Sequence, residues 1–282
     1  MKEVCVITGG GSGMGFAAAK TIGKKGTYII IVGRTLNKLE RALKELRNEE
    51  IEAEAFACDI SNRGAVDELV ARASEVGIIT SVIHAAGLSP NMGDAKTIME
   101  ANALGTINMN EAFYKAMHED SCMIDVSSMS AYLIPSIVIP RKKYKYSRID
   151  KDLFIKKMMS WINLFPKKLR AGVAYGISKN FVIWYAKTDA LKFGMKGIRI
   201  ISISPGSFET PMGELEKDRI DEYTKNSAIP RPGKVEEIAQ LFEFCVSPKA
   251  SYLTGVDILC DGGCVASREG AAGLRKKGIP DQ

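Results

Sequence analysis

The chain has 282 residues, 46% hydrophobic and 26% charged, which suits one large α/β unit and excludes wholesale disorder. Its 39 Lys+Arg against 33 Asp+Glu leave +6, too small a uniform excess to suggest nucleic acid. Six cysteines (5, 58, 122, 245, 260 and 264) form no CxxC pair and no metal-ligand spacing with His84 or His118. No run approaches the roughly 18 apolar residues of a membrane span, and the first apolar run breaks at once into glycines. The expectation is a reduced cytoplasmic protein with buried thiols, without metal, membrane span or signal peptide.

Strand and helix patterns alternate along the chain. Val4–Thr8 is an apolar run closed by glycines, and Phe16–Lys24 has helical spacing. Tyr28–Val32, Ala53–Ala57, Ser81–His84 and Met123–Val126 read as further strands. Leu36–Arg47, Arg63–Val76 and Ala95–Met117 read as the intervening helices. Tyr175–Lys192 is a helix, Ile198–Ser202 a strand, Val235–Cys245 a helix and Val256–Leu259 a last strand. Fully apolar strands separated by helices imply a parallel sheet covered on both faces, a doubly wound α/β fold. We expect one domain over 1–267, with a Gly/Lys tail over 268–282. Ser136–Gly172, rich in Lys, Met and aromatics, breaks the rhythm.

The turn Thr8-Gly9-Gly10-Gly11-Ser12-Gly13-Met14-Gly15 follows the first strand and opens a helix. Glycines there let the backbone approach a pyrophosphate, while the helix N-terminus offers free N–H groups. Strand two ends in Gly33-Arg34, where NAD binders commonly carry an acid for the ribose 2′-hydroxyl. An Arg suits a 2′-phosphate instead, so NADP(H) is favoured and NAD(H) stays open, since an exposed or adenine-stacked Arg34 serves either. Asp59 follows strand three, either to meet the adenine amine or as a helix N-terminal acid.

Tyr175 and Lys179 are four apart and share a helical face. A neighbouring ammonium favours the phenolate of a Tyr that otherwise titrates near pH 10, which makes it a proton donor and acceptor for an alcohol or carbonyl. Ser127-Ser128 after strand five offers a hydroxyl for the substrate oxygen.

These motifs occur in order with Ala85-Ala86-Gly87, Asn102, Pro205-Gly206 with Thr210, and Asp261-Gly262-Gly263. Together they closely resemble the short-chain dehydrogenase/reductase family from about Lys2 to Val265. The resemblance implies a Rossmann fold with Tyr175 as general acid/base and Lys179 on the nicotinamide ribose. It implies that Ser128 polarises the substrate, with Ser127 its structural neighbour. Asn102 would kink the fourth helix and anchor a water that leads from Lys179 to solvent. Gly9, Ser12, Gly13, Met14 and Gly15 would line the pyrophosphate, and Asp59 with Ile60 the adenine. Ala85, Ala86 and Gly87 would pass beneath the ribose, with Pro205, Gly206, Phe208 and Thr210 at the carboxamide. The family's Asn before Ala-Ala-Gly is His84 here, read as a brace for the sheet or, less readily, a proton-transfer group.

Ser128 and Tyr175 stand further apart than in most of the family. The intervening 136–172 carries eleven Lys/Arg and two Asp, a local +9 that leaves −3 for the rest. Phe154, Met158, Trp161 and Phe165 share a face, so we expect a helix of roughly four turns from Asp150 and Asp152 to Pro166. This insert is a lid on its own core, a subunit contact or block to helix pairing, or a surface for an anionic partner such as an acyl carrier protein or a membrane. Met212–Ala228 is expected to be a substrate flap.

Three functions follow. The first is an NADP(H)-dependent oxidoreductase interconverting a secondary alcohol and a ketone, on a bulky apolar substrate such as the steroids and bile acids the family handles. The second is a 3-oxoacyl thioester reductase docking an acidic carrier, and the third a non-catalytic dinucleotide sensor. Retention of Asn102, Ser128, Tyr175 and Lys179 weighs against the third. The resemblance also implies a homodimer or homotetramer.

Overall fold

The computed structural model describes residues 1–214, 222–225 and 227–268. Seven strands form one parallel sheet: β1 (Lys2–Thr8), β2 (Tyr28–Gly33), β3 (Ala53–Ala57), β4 (Gly77–His84), β5 (Cys122–Val126), β6 (Arg199–Pro205) and β7 (Asp257–Cys260), in the order β3-β2-β1-β4-β5-β6-β7. The doubly wound expectation holds. The order reverses between β1 and β4, and that switch point is where open α/β sheets hold ligands.

Strand side chains alternate between two cores. Cys5, Ile7, Ile29 and Ile31 face α1 (Gly13–Gly23), α2 (Leu36–Asn48) and α7 (Val235–Val246). Val4, Val6, Ile30 and Val32 face α3 (Arg63–Val76), α4 (95–116) and α6 (Arg170–Gly194). Both sheet faces are covered, which is why the strands carry no polar alternation. We number as α4 the continuous stretch of Ala95–Met99, a π-helical turn Glu100–Leu104, and Gly105–Ala116.

The basic insert folds back onto the domain. Its helix α5 spans Lys151–Ile162, with the Asp150 side chain capping Leu153 N–H at 2.8 Å. Phe154, Met158 and Ile162 of α5 join Ile98, Met99, Ile107, Ile177 and Phe181 in a third core, against α4 and α6. Tyr144 is fully buried there and donates to the Ile177 carbonyl at 3.1 Å. Arg148 stacks 3.8 Å over the Tyr185 ring and pairs with Asp189 at 2.6 Å, while Lys151 reaches Glu111 at 2.7 Å. The insert is thus anchored by burial and by paired charge.

Among the boundaries that differ from the sequence expectation, two belong to the insert and the helix after it. α5 ends at Ile162, short of Pro166, because Arg170 takes the Asn163 and Phe165 carbonyls at 2.8 and 2.9 Å and turns the chain. α6 begins at Arg170, five residues before Tyr175. The expected flap lies partly outside the described residues, at 215–221 and 226, and so does the tail at 269–282.

Candidate active site

Two adjoining clefts open along the C-terminal edge of β1, β4 and β5. The first is lined by Gly9, Gly11–Gly15, Arg34, Asp59, Ile60, Ala85–Gly87 and Thr210. Every cofactor residue expected from the adenine end to the pyrophosphate therefore meets in one place. Thr35 and Lys38 stand in the same wall as Arg34, a second cation that the sequence motif did not single out.

The loop geometry explains the glycines. Gly9 has φ +70°, and a Cβ there would lie 3.1 Å from the Ala85 carbonyl and the Ala86 nitrogen. A Cβ on Gly15 would lie 2.6 Å from the Gly9 carbonyl oxygen, so α1 could not start against the loop. Ser12 is the N-cap residue of α1, and its side chain makes no capping bond. Gly13, Met14 and Gly15 of the first turn line the cleft, and a helix start leaves its first N–H groups free for an anion, so the cradle fits a dinucleotide phosphate. Asp59 is not the cap of α3. Asn62 fills that place, and Asp59 Oδ1 accepts from Ser61 N–H and O–H at 3.0 and 2.7 Å.

The second cleft, a cavity of about 390 Å³, is lined by Ser128, Tyr175, Pro205, Gly206 and Phe208. Met14, Thr210 and Met212 line both clefts, so the two are continuous. Pro205, Gly206 and Phe208 stand on this second wall, not in the nucleotide cleft. Leu133, Ile134, Pro135 and Val173 make the wall largely apolar, and Val138, Leu169 and Gly172 come from the insert. Ser89, Pro90 and Tyr223 also line it. Leu133, Ile134, Pro135, Val138, Leu169 and Val173 carry no sequence motif; tertiary packing alone brings them to the motif residues.

Ser128 Oγ accepts from Ser130 N–H at 3.1 Å, which leaves its own proton as the donor. Lys179 is 6% exposed and donates to the Val126 carbonyl at 2.9 Å. Its Nζ lies 5.9 Å from the Tyr175 ring centre. Burial brings Lys179 down to about 8, while Asp125 acts in the opposite direction. Ser127 Oγ donates to the Lys179 carbonyl at 2.7 Å and ties α6 to the end of β5. Asn102 lies within the π-helical turn, and its amide grips the Leu88 N–H and carbonyl at 2.8 and 3.0 Å. His84 bonds side chains, Thr8 at 2.9 Å and Thr106 at 3.2 Å, not backbone. Burial and the Lys179 charge push it down to about 3, so it is neutral at physiological pH.

Among the described residues, no cluster of three or more His, Cys, Asp or Glu could hold a metal, and no helix is long and apolar enough to cross a membrane.

Known proteins resemble this chain in sequence and in fold. The sequence matches the short chain dehydrogenase family over residues 3–140 and the Enoyl-(Acyl carrier protein) reductase family over 167–265. The unmatched stretch between them falls inside the basic insert. The chain is 26% identical to the short-chain dehydrogenase/reductase bsc3 of Alternaria brassicicola, covering 94% of this chain and 97% of that protein. It is 27% identical to the 3-oxoacyl-[acyl-carrier-protein] reductase FabG of Thermotoga maritima, over 93% and 98% of the two. Among solved structures, an actinorhodin polyketide ketoreductase with NADPH superposes with a TM-score of 0.75 at 21% identity, over 94% and 97% of the two chains. A short chain dehydrogenase from Burkholderia cenocepacia in complex with NADP gives 0.75 at 21%, over 93% and 97%. The chain belongs to the short-chain dehydrogenase/reductase family, oxidoreductases that act on CH–OH or carbonyl groups with a nicotinamide dinucleotide.

Proposed function

We propose that the protein is an NADP(H)-preferring oxidoreductase that interconverts a secondary alcohol and a ketone on a bulky apolar substrate, of which hydroxysteroids and bile acids are the leading class. The observation that carries this reading is the continuity of the two clefts at Met14, Thr210 and Met212, with Ser128 and Tyr175 on the apolar side. A volume of about 390 Å³ falls within the roughly 300–1,000 Å³ of small-molecule sites. Arg34 and Lys38 support the phosphate preference, because both cations line the cleft where the 2′-position would fall.

Bound in the first cleft, the dinucleotide supplies or accepts the hydride. The chain's own residues then have separable tasks. Ser128 donates its hydroxyl proton to the substrate oxygen and so orients the carbon. Tyr175 gives or takes the alcohol proton at its phenolic oxygen. The Lys179 ammonium, fixed on the Val126 carbonyl, favours the phenolate by Coulomb attraction. Asn102, held on Leu88, keeps the α4 turn open beside Lys179 for a water leading to solvent. The apolar wall from Ile134 to Val173 excludes other water from the reacting carbon.

A second reading is favoured by the uneven charge. The +9 insert lies beside the cavity and suits an acidic carrier that delivers a 3-oxoacyl thioester. We also infer a homodimer or homotetramer whose contacts avoid the insert-covered part of α4 and α6, and, from the six free thiols, a cytoplasmic location. Paired titration with NADPH and NADH, followed by steroid ketones, oxidised bile acids and a 3-oxoacyl thioester, tests the assignment. Tighter NADPH binding and turnover of a bulky ketone are expected. Turnover of the thioester alone selects the second reading. Tight binding with no turnover of any carbonyl contradicts both and favours a dinucleotide sensor.

A further inference from the structure

Three polar side chains on α4 enter a layer that is otherwise apolar. Asn102, Thr106 and Asn110 are four residues apart and stack on the face turned toward the sheet. Asn102 grips the Leu88 backbone, Thr106 meets His84 on β4, and Asn110 donates to both oxygens of Asp125 on β5. His84 is the register partner of Thr8 on β1 and of Asp125 on β5. The helix that bears the catalytic turn is thus stitched to β4 and β5 and, through His84, to Thr8 of β1.

Proton counting fixes every donor on the upper rung. A carbonyl only accepts, so the 2.7 Å bond to the Asn102 carbonyl uses the Thr106 hydroxyl proton. The 3.2 Å contact between His84 Nε2 and Thr106 Oγ1 must then be donated by the ring. A neutral ring protonated at Nε2 accepts at Nδ1, where Thr8 donates over 2.9 Å. Thr8 Oγ1 in turn accepts from Ala86 N–H at 3.0 Å. The result is one directed chain from Ala86 through Thr8, His84 and Thr106 to Asn102.

We propose that His84 is a positioning residue that couples the nucleotide cleft to the π-helical turn bearing Asn102. The inference rests on the dinucleotide reading above. Its two ends lie where such coupling has an effect. Thr8 and Ala86 line the nucleotide cleft. At the far end, a Cβ on Gly87 would be 3.0 Å from Asn102 Oδ1 and 3.3 Å from Lys179 Nζ, so the turn and the ammonium flank one point. A π-turn holds one residue more than the α-helical register and therefore has a near alternative. The Thr106 hydroxyl on the Asn102 carbonyl favours the wide register. A ligand that stiffens Ala85–Gly87 stiffens the chain of bonds and, through His84, that register.

Hydrogen exchange of the Ala103–Ile107 amides, with and without NADPH, reads this coupling without any turnover. NADPH slows exchange there in the parent by roughly 2- to 10-fold, the weight of one hydrogen bond. His84→Asn keeps an acceptor for Thr8 but does not reach Thr106, so the slowing disappears although NADPH still binds. Thr106→Val loses it as well, and Thr106→Ser, which keeps the hydroxyl, retains it. That Thr106 pair carries the test if His84→Asn does not fold. Equal slowing in the parent and in His84→Asn or Thr106→Val overturns the coupling, as does its loss in Thr106→Ser. Failure of the parent to bind NADPH or NADH, seen in the accompanying fluorescence titration, refutes the cleft reading itself and the coupling with it.

Discussion

Asp125 is fully buried on β5, and Asn110 donates to its two oxygens at 2.9 and 3.0 Å. Burial pushes its carboxyl from 3.8 up to about 7, against the lowering effect of the Asn110 bonds. The folded value stands above the unfolded one, so the group's contribution to stability is fully present below about 3.8 and lost as pH rises through 7. Some three pH units correspond to at most about 4 kcal/mol. Asn110 Oδ1 is itself buried without a hydrogen-bond partner among the described residues. An asparagine at 125 removes the buried charge, and its NH₂ can donate to that oxygen, a bond worth about 1 kcal/mol. Asp125→Asn is therefore expected to stabilise the fold by about 2–4 kcal/mol at pH 8 and by about 1 kcal/mol or less at pH 4. Activity moves the other way. The Asp125 charge raises Lys179 against its burial, so the variant drops Lys179 below about 8 and shifts the alkaline limb of the pH–rate profile to lower pH. Urea denaturation of parent and variant at pH 4, 6 and 8 measures the first effect. A stability gap that does not grow with pH, or a variant less stable than the parent at pH 8, would refute the reasoning.

Three shorter predictions concern the clefts and the insert. Arg34→Asp is expected to move the NADPH/NADH affinity ratio toward NADH by roughly 10- to 100-fold, the weight of a charge-assisted bond, as read by fluorescence titration. An unchanged ratio would remove Arg34 from phosphate recognition. Gly15→Ala forces a Cβ to within 2.6 Å of the Gly9 oxygen, so its urea midpoint should fall by the equivalent of about 1–3 kcal/mol and nucleotide binding should weaken. Tyr144→Phe loses the bond to the Ile177 carbonyl and should cost about 1–2 kcal/mol, and Tyr144→Ala about 3–5 kcal/mol. A native midpoint for both Tyr144 variants would mean that the insert is not anchored as described.

Much of the architecture was legible because the signals were local. Apolar β-branched runs such as Tyr28–Val32 have no other stable home than a doubly covered sheet. Ala53–Ala57 and Arg63–Val76 were bounded correctly because charge and turn residues bracket them. Glycine misled at two places. Gly77 looks like a breaker, yet it opens β4 as the register partner of Lys2, whose carbonyl oxygen leaves no room for a Cβ. Gly172 likewise hid the first turn of α6, where nothing crowds it. The apolar stripe runs straight through the π-helical turn at Glu100–Leu104, so periodicity does not mark it; the resemblance alone implied a kink at Asn102, and Thr106 and Leu88, bonded to Asn102 in three dimensions, show its form. The glycine turn, Ser128, Tyr175 and Lys179 were readable as motifs. Lys38, Val138 and Leu169 were not, because each reaches a cleft wall only through tertiary packing.

Hydride transfer in the Tyr175→Phe variant tests the central claim most directly. Parent and variant are mixed with saturating NADPH and a bulky steroid ketone, and the loss of NADPH absorbance is followed beside NADPH binding measured by fluorescence. The account predicts rapid oxidation by the parent, a loss of at least about 10²-fold in the variant, and binding that stays within about threefold. Comparable oxidation by the variant would contradict the assignment of Tyr175 as the proton donor and acceptor.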